Sequence, residues 1–147
     1  MRCALLLSLP LLGIFYPMWV SATEQIAVIV SLAHSEEAVG RAELNRIYER
    51  RRRFWSNGTR IVPINLSAEH PVRRQFSRLV FEKSPEDMQD YWNTRYFQGV
   101  SPPYVLASED AVLAFVASTP GSIGYVSARI LNGQVKVLTY LTSSAPR

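Results

Sequence analysis

Residues 25–32 (QIAVIVSL) form a continuous apolar, β-branched run, the pattern of a strand buried on both faces. A polar loop over 34–40 follows. Leu44, Ile47 and Tyr48 then recur at helical spacing, which predicts a helix from Arg41 to about Arg50. Residues 61–65 (IVPIN) read as a second short strand, and Pro63 points to an edge position or to pairing on one side only. Pro71 suits the first turn of a helix, where its missing N–H costs nothing, and Val72, Phe76, Leu79 and Val80 mark that helix's apolar stripe. Ser84-Pro85-Glu86-Asp87 carries the cap, proline and acid of another helix start. Met88, Tyr91, Trp92 and Phe97 lie on its apolar face, and Gly99 and Pro102-Pro103 stop it. Ser108 caps a further helix with Glu109 and Asp110 at its positive end and Val112, Leu113, Phe115 and Val116 on its buried side. Residues 122–126 (SIGYV) and 135–141 (VKVLTYL) are the last strands. The order β-α-β-α-α-α-β-β predicts an α/β sheet with helices packed on its faces.

The first 22 residues do not belong to that pattern. Arg2 precedes an apolar stretch broken by Pro10, Gly13 and Pro17, and Val20-Ser21-Ala22 places small residues where a signal peptidase reads. The stretch is short for a spanning helix and carries two prolines. It therefore reads as a cleavable export signal over residues 1–22, with the working domain at 23–147. Cleavage removes Cys3, the only cysteine, and with it any disulfide or thiol chemistry.

Charge sharpens the picture. The chain carries 16 Lys and Arg against 12 Asp and Glu. The excess is concentrated in residues 41–78, and an arginine-rich half suits an anionic partner, because guanidinium forks match carboxylate and phosphate oxygens in pairs. Nucleic acid is the common partner of such a patch, but an exported chain does not meet it. An anionic solute, lipid headgroups or an acidic protein surface fit better.

No pattern supports catalysis. The sequence has no nucleophile elbow, no phosphate-cradling glycine loop and no histidine pair at metal spacing, and it implies no cofactor. His34 and His70 each stand alone, and a single loop histidine is more often solvent-facing than catalytic. Glu36-Glu37 and Asp87-Asp90 read as solvated or helix-pairing acids.

The segment 65–74 (NLSAEHPVRR) is more informative. It runs from a strand end through a polar turn to a helix start bearing Arg73 and Arg74. Free N–H groups at a helix start point at any anion placed there. Ser67, His70 and Arg73 are the candidate ligand residues, and the alternative is that Ser67 only ends a turn and the arginines face water. Ser31 and His34 follow the first strand. If the two loops share a rim outside the strands' carboxyl ends, they complete the site. The run Arg50 to Arg53 reads foremost as a solvated helix end, with a docking patch for an acidic or lipid surface as its other reading. Phe54 and Trp55 read as core.

Two segments then resemble one family. Residues 43–65 (ELNRIYERRRRFWSNGTRIVPIN) and 120–126 (PGSIGYV) resemble, in the same order, blocks of the phosphate-binding proteins of bacterial phosphate ABC transporters. There a helix ending in Ile-Phe precedes a Trp and a strand leading to the ligand; Ile47-Tyr48, Trp55 and residues 61–65 match. The resemblance implies the type 2 periplasmic-binding-protein fold, a mixed sheet flanked by helices, and a periplasmic location. It implies phosphate or a similar oxyanion as ligand and an ABC-transporter membrane component, or another periplasmic protein, as partner. The family's second ligand segment falls at residues 67–71, where Ser67 is retained. The family's complete sites lie between two lobes, whereas this chain has residues for one, so a homodimer is one route to a closed site. The other reading is a non-enzymatic periplasmic interaction module that keeps the fold without the ligand site.

Overall fold

The computed structural model describes residues 24–143. The export signal read at residues 1–22 lies outside the described residues. The elements are β1 (Ile26–Ser31), α1 (Arg41–Tyr48), β2 (Val62–Leu66), α2 (Pro71–Phe81), α3 (Gln89–Phe97), β3 (Tyr104–Leu106), α4 (Glu109–Ser118), β4 (Ser122–Ser127) and β5 (Val135–Leu141). Short 3₁₀ turns lead into α3 and follow β4. The strands form one sheet in the order β3-β2-β4-β1-β5. β2 runs parallel to β3 and β4, while β1 runs antiparallel to β4 and β5. The result is the expected mixed α/β lobe with one strand more: β3 separates α3 from α4.

The apolar run of β1 explains its place. Ile26 through Val30 are fully buried between β4 and β5, with helices on both faces. β4 shows how the faces divide, because successive side chains point to opposite sides. Gly124 faces α4, and a Cβ there would lie 2.6 Å from Val112 Cγ1 and 3.1 Å from Val116 Cγ2. Tyr125 faces the other layer, where its ring lies near Tyr48 of α1 and stacks on Phe76 of α2. The glycine is what lets α4 approach the sheet.

Pro63 pairs with Ile123 on the β4 side, and pairing with β3 begins only at Ile64. β2 is therefore an interior strand, and its proline sits at the level where it has one partner. Helix starts follow the sequence signals. His70 Nδ1 accepts from the Val72 amide at 3.2 Å ahead of Pro71, and Ser108 Oγ accepts from the Ala111 amide at 3.2 Å. Ser84 and Asp87 cap each other reciprocally: Asp87 Oδ2 accepts from the Ser84 amide at 3.1 Å and Ser84 Oγ accepts from the Asp87 amide at 3.2 Å.

Two expectations about apolar residues change. α3 buries none of its residues, and Phe97 is 89% exposed; Met88, in the turn before it, is the buried member of the expected face. Tyr91 instead uses its hydroxyl to donate to the Glu49 carbonyl at 2.8 Å. In the pair Phe54-Trp55, Trp55 is core and donates through Nε1 to the Gly121 carbonyl at 2.9 Å, but Phe54 is exposed.

Candidate functional site

Strand direction decides which candidate residues meet. β1 opposes β4 with Val30 beside Ile123, and parallel β2 places Val62 beside Ser122. The carboxyl end of β1 therefore lies at the amino ends of β2 and β4. Ser31 and His34 occupy one end of the sheet, and Ser67, His70 and Arg73 follow β2 at the other. The shared rim does not form, because β1 runs against its neighbour instead of with it.

At the β1 end, His34 is not solvent-facing. It is 9% exposed and packs edge-on against Trp55, with ring centroids 4.3 Å apart. Its Nε2 is buried with no acceptor or donor in reach. Burial pushes the imidazole pKa below the ordinary histidine value, Glu36 opposes that, and Lys136 and Arg52 add to it. Ser31 and His34 line a cavity of about 70 Å³ with Trp55, Asn57, Thr59 and Gly121. Beside it, the Glu36 carboxylate accepts from Arg52 Nη2 at 2.9 Å, the Ser56 amide at 3.0 Å and Ser56 Oγ at 2.8 Å. Burial alone would raise the Glu36 pKa; the Ser56 hydrogen bonds and the Arg52 charge outweigh it and hold the group below its usual range. Arg52 also pairs with Glu43 and lies 5.3 Å from the Trp55 ring centroid. The run Arg50 to Arg53 is thus divided: Arg51 and Arg53 are exposed, Arg52 is a structural tie, and Arg50 is half-buried.

The β2 end holds the other three candidates. His70 caps α2 through Nδ1, which fixes the neutral ring's proton on Nε2. That nitrogen faces Glu109 Oε1 at 4.0 Å. Ser67 is half-buried, and its carbonyl accepts from the His70 amide at 3.1 Å, closing the turn. Arg73 turns inward. Its Nε and Nη1 are buried without an acceptor, and its charge acts on the buried Tyr125 and Tyr48 hydroxyls. Burial raises the pKa of both tyrosines above the ordinary value, and Arg73 works against it. Arg74 turns outward to Glu86 Oε1 at 2.6 Å, and that hydrogen bond draws the Glu86 pKa down to about 2.

Several residues of this rim escaped the sequence reading. Glu109 does more than face a helix dipole: its carboxylate accepts from the Ser127 amide at the end of β4. Glu24 accepts from Ser127 Oγ at 2.7 Å and from Arg129 Nη2 at 2.6 Å. The Ser127 hydrogen bond lowers the Glu24 pKa first, burial opposes, and Arg129 adds to the lowering. Beneath the rim, Tyr125 donates to Asn65 Oδ1 at 3.0 Å and accepts from the Leu66 amide at 3.4 Å. Only the Ser-Glu start of α4 gave a signal for any of these. Ser127 and Glu24 meet across 103 residues, a distance no local pattern spans.

The architecture can be set beside known structures. An ABC-type phosphate transport receptor from Vibrio cholerae superposes with a TM-score of 0.64 at 18% identity, over 78% of this chain and 45% of its own. PstS from Borrelia burgdorferi superposes with a TM-score of 0.62 at 16% identity, over 79% of this chain and 47% of its own. The fold is that of one periplasmic-binding-protein lobe. The resemblance carried by residues 43–65 and 120–126 thus holds at the level of the whole lobe. At these identities the likeness concerns the fold, and this chain spans less than half the length of either receptor. No family model and no curated protein matches the sequence. Among the described residues, no helix is long and apolar enough to cross a membrane.

Proposed function

We propose that the chain is an exported, non-enzymatic solute-binding lobe that takes phosphate or a related oxyanion at the amino end of α2 and serves an ABC-type uptake system from the periplasm. The observation that carries this reading is Arg73. Nε and Nη1 of its guanidinium are buried with no acceptor in bonding geometry, the Tyr125 hydroxyl being the polar group it approaches, and a buried donor left so costs about 1–3 kcal/mol. An oxyanion at the helix start, where the N–H groups and helix dipole favour negative charge, supplies the missing acceptors after a small side-chain adjustment. Ser67 and the Nε2–H of His70 stand at the same rim as further donors. Glu109 beside His70 selects among oxyanions: one that keeps a proton can donate to the carboxylate, and one that has none is repelled. Phosphate fits that requirement near neutral pH and sulfate does not. One lobe does not close over the ion by itself; the enclosure needs a second lobe or a partner surface.

Titration calorimetry with phosphate, sulfate and pyrophosphate tests this reading. Phosphate heat that is absent from Arg73→Met is the expected result. No heat from any of the three at millimolar concentration removes it. The second reading, an interaction module without a ligand site, has its own observation: Glu109 and Glu24 already occupy the Ser127 and Arg129 donors that an anion at this rim would use. A protein silent to all three ions but retained by a periplasmic partner would favour it.

A further inference from the structure

A second surface, distant from the α2 rim in chemistry, lies along the β3 edge of the sheet. β3 pairs with β2 on one side only, with Ile64 beside Tyr104, Asn65 beside Val105 and Leu66 beside Leu106. Among the described residues no strand pairs with its other side, which leaves backbone N–H and C=O groups of the kind that recruit an additional strand. Successive strand residues face opposite sides of a sheet, yet Tyr104 is 72% and Val105 61% exposed. Tyr104 and Val105 are open on opposite faces, while Leu106 packs partly against the core. Edge strands are ordinarily blunted by charge, proline or brevity; β3 carries no charge, and its protection is its length of 3 residues and the Pro102-Pro103 pair before it.

The charge lies beside the strand instead. The segment before β2 folds back as a hairpin in which Phe54 bridges Arg60 and the Ile61 amide donates to the Arg53 carbonyl at 2.9 Å. This sets Arg60 opposite the exposed Phe54 ahead of β2, with Arg53 one residue back on the facing arm. Arg50 joins them from the end of α1. Its φ of 61° is left-handed, a conformation that costs a non-glycine residue about 1 kcal/mol or more and that turns the chain sharply into the hairpin. Its Nε is buried without a partner, and the charges of Arg60 and Arg53 and the Tyr104 hydroxyl all act on it. Arg51, Arg52, Arg74, Arg129 and Lys136 each have a carboxylate. Arg50, Arg53 and Arg60 have none among the described residues. The three like charges lie near Tyr104 at the start of β3, and no carboxylate among the described residues pairs with them.

We infer that the β3 edge is a docking site for an extended acidic segment of a partner protein, which adds as a strand beside Tyr104–Leu106 and sets its carboxylates on Arg50, Arg53 and Arg60. Backbone pairing supplies the affinity, the exposed Tyr104 and Val105 receive alternate apolar side chains, and the arginines set the sign of the partner. A second copy of this chain is a poor occupant. Its β3 strand, Tyr104–Leu106, carries no carboxylate to set on the arginines. A lipid surface would use the charge but not the strand edge.

The test is fluorescence anisotropy of the purified protein with a labelled eight-residue peptide of alternating glutamate and valine, and with its lysine–valine counterpart. The acidic peptide should bind and the basic one should not. Arg50→Gln/Arg53→Gln/Arg60→Gln should weaken binding by about tenfold or more, and added salt should weaken it in the native protein more than in the variant. Amide hydrogen exchange should show new protection at Tyr104–Leu106. Tyr104→Ala/Val105→Ala, two exposed positions that leave the core untouched, should also lose affinity. Equal binding of both peptides, protection elsewhere than β3, or an unaffected triple variant overturns the inference. So does binding to anionic phosphatidylglycerol vesicles with no change in β3 exchange, or a β3-dependent dimer in sedimentation. These readouts use no phosphate, so they fail or succeed independently of the α2 site.

Discussion

The Tyr125 ring lies flat on the Phe76 ring, with centroids 3.8 Å apart and planes within 3° of parallel. This contact joins the sheet to α2, and the Tyr125 hydroxyl extends it into the polar layer under the rim by bonding Asn65 and the Leu66 amide. Tyr125→Phe keeps the stack and leaves two buried groups short of a partner. It should cost about 1–3 kcal/mol. Phe76→Ala removes the stack and should cost about 3–5 kcal/mol. Urea denaturation of both variants checks the order.

Gly124 predicts a second stability effect. Gly124→Ala drives a Cβ into Val112 and Val116, whose branched side chains cannot swing aside, and should destabilise by about 1–3 kcal/mol. Combining it with Val112→Ala should recover part of that loss. Thermal melts of the single and double variants decide the matter, and an unchanged double variant would place the clash elsewhere.

His34 and Glu36 give a pH dependence with one sign. The His34 pKa is lowered in the folded state, so the unfolded chain takes up a proton first, and stability falls as pH drops below the unfolded value of 6.5. The Glu36 pKa is also lowered, so its contribution is present above the unfolded value of 4.5 and is lost as pH falls through the folded one. Stability should therefore decline in two stages on acidification. His34→Phe should flatten the upper stage and Glu36→Gln the lower, as read from urea midpoints between pH 7 and pH 3.

Glu109 predicts the ionic preference of the rim. Glu109→Gln removes the charge beside His70 while keeping an acceptor for the Ser127 amide. Sulfate binding should strengthen by about tenfold or more relative to phosphate, because the site no longer demands a proton from its ligand. Competitive calorimetry measures the ratio directly. A ratio that does not move would separate Glu109 from the ligand.

The long apolar patterns were legible in the sequence. The run at 25–32 predicted β1, the stripe Val72–Phe76–Val80 predicted α2, and the start signals Pro71, Ser84 and Ser108 stand at α2, at the 3₁₀ turn before α3 and at α4. β3 was not legible, since three residues behind two prolines give no periodicity. The face of α3 misled because aromatic spacing at 91, 92 and 97 is the same whether a helix packs on a core or stands at the surface. The rim was misplaced for a different reason. A buried strand reads identically in either direction, so nothing in residues 25–32 reveals that β1 opposes its neighbour. That one reversal separated Ser31 and His34 from Ser67. His34, which read as a loop residue, was drawn inward by Trp55, a contact that pairs loops on either side of α1.

The same reversed strand governs how the chain reaches its native state. β1 is the first described strand, yet both of its partners, β4 and β5, are the last. The five buried residues Ile26–Val30 cannot pair until nearly all of the polypeptide has emerged. Pairing of such remote segments is slow, because loop closure must precede the contacts that reward it. Through that interval the most apolar stretch of the described chain stands unshielded. A truncation after Ser118 would leave it so permanently, and such a fragment should aggregate rather than form a smaller lobe.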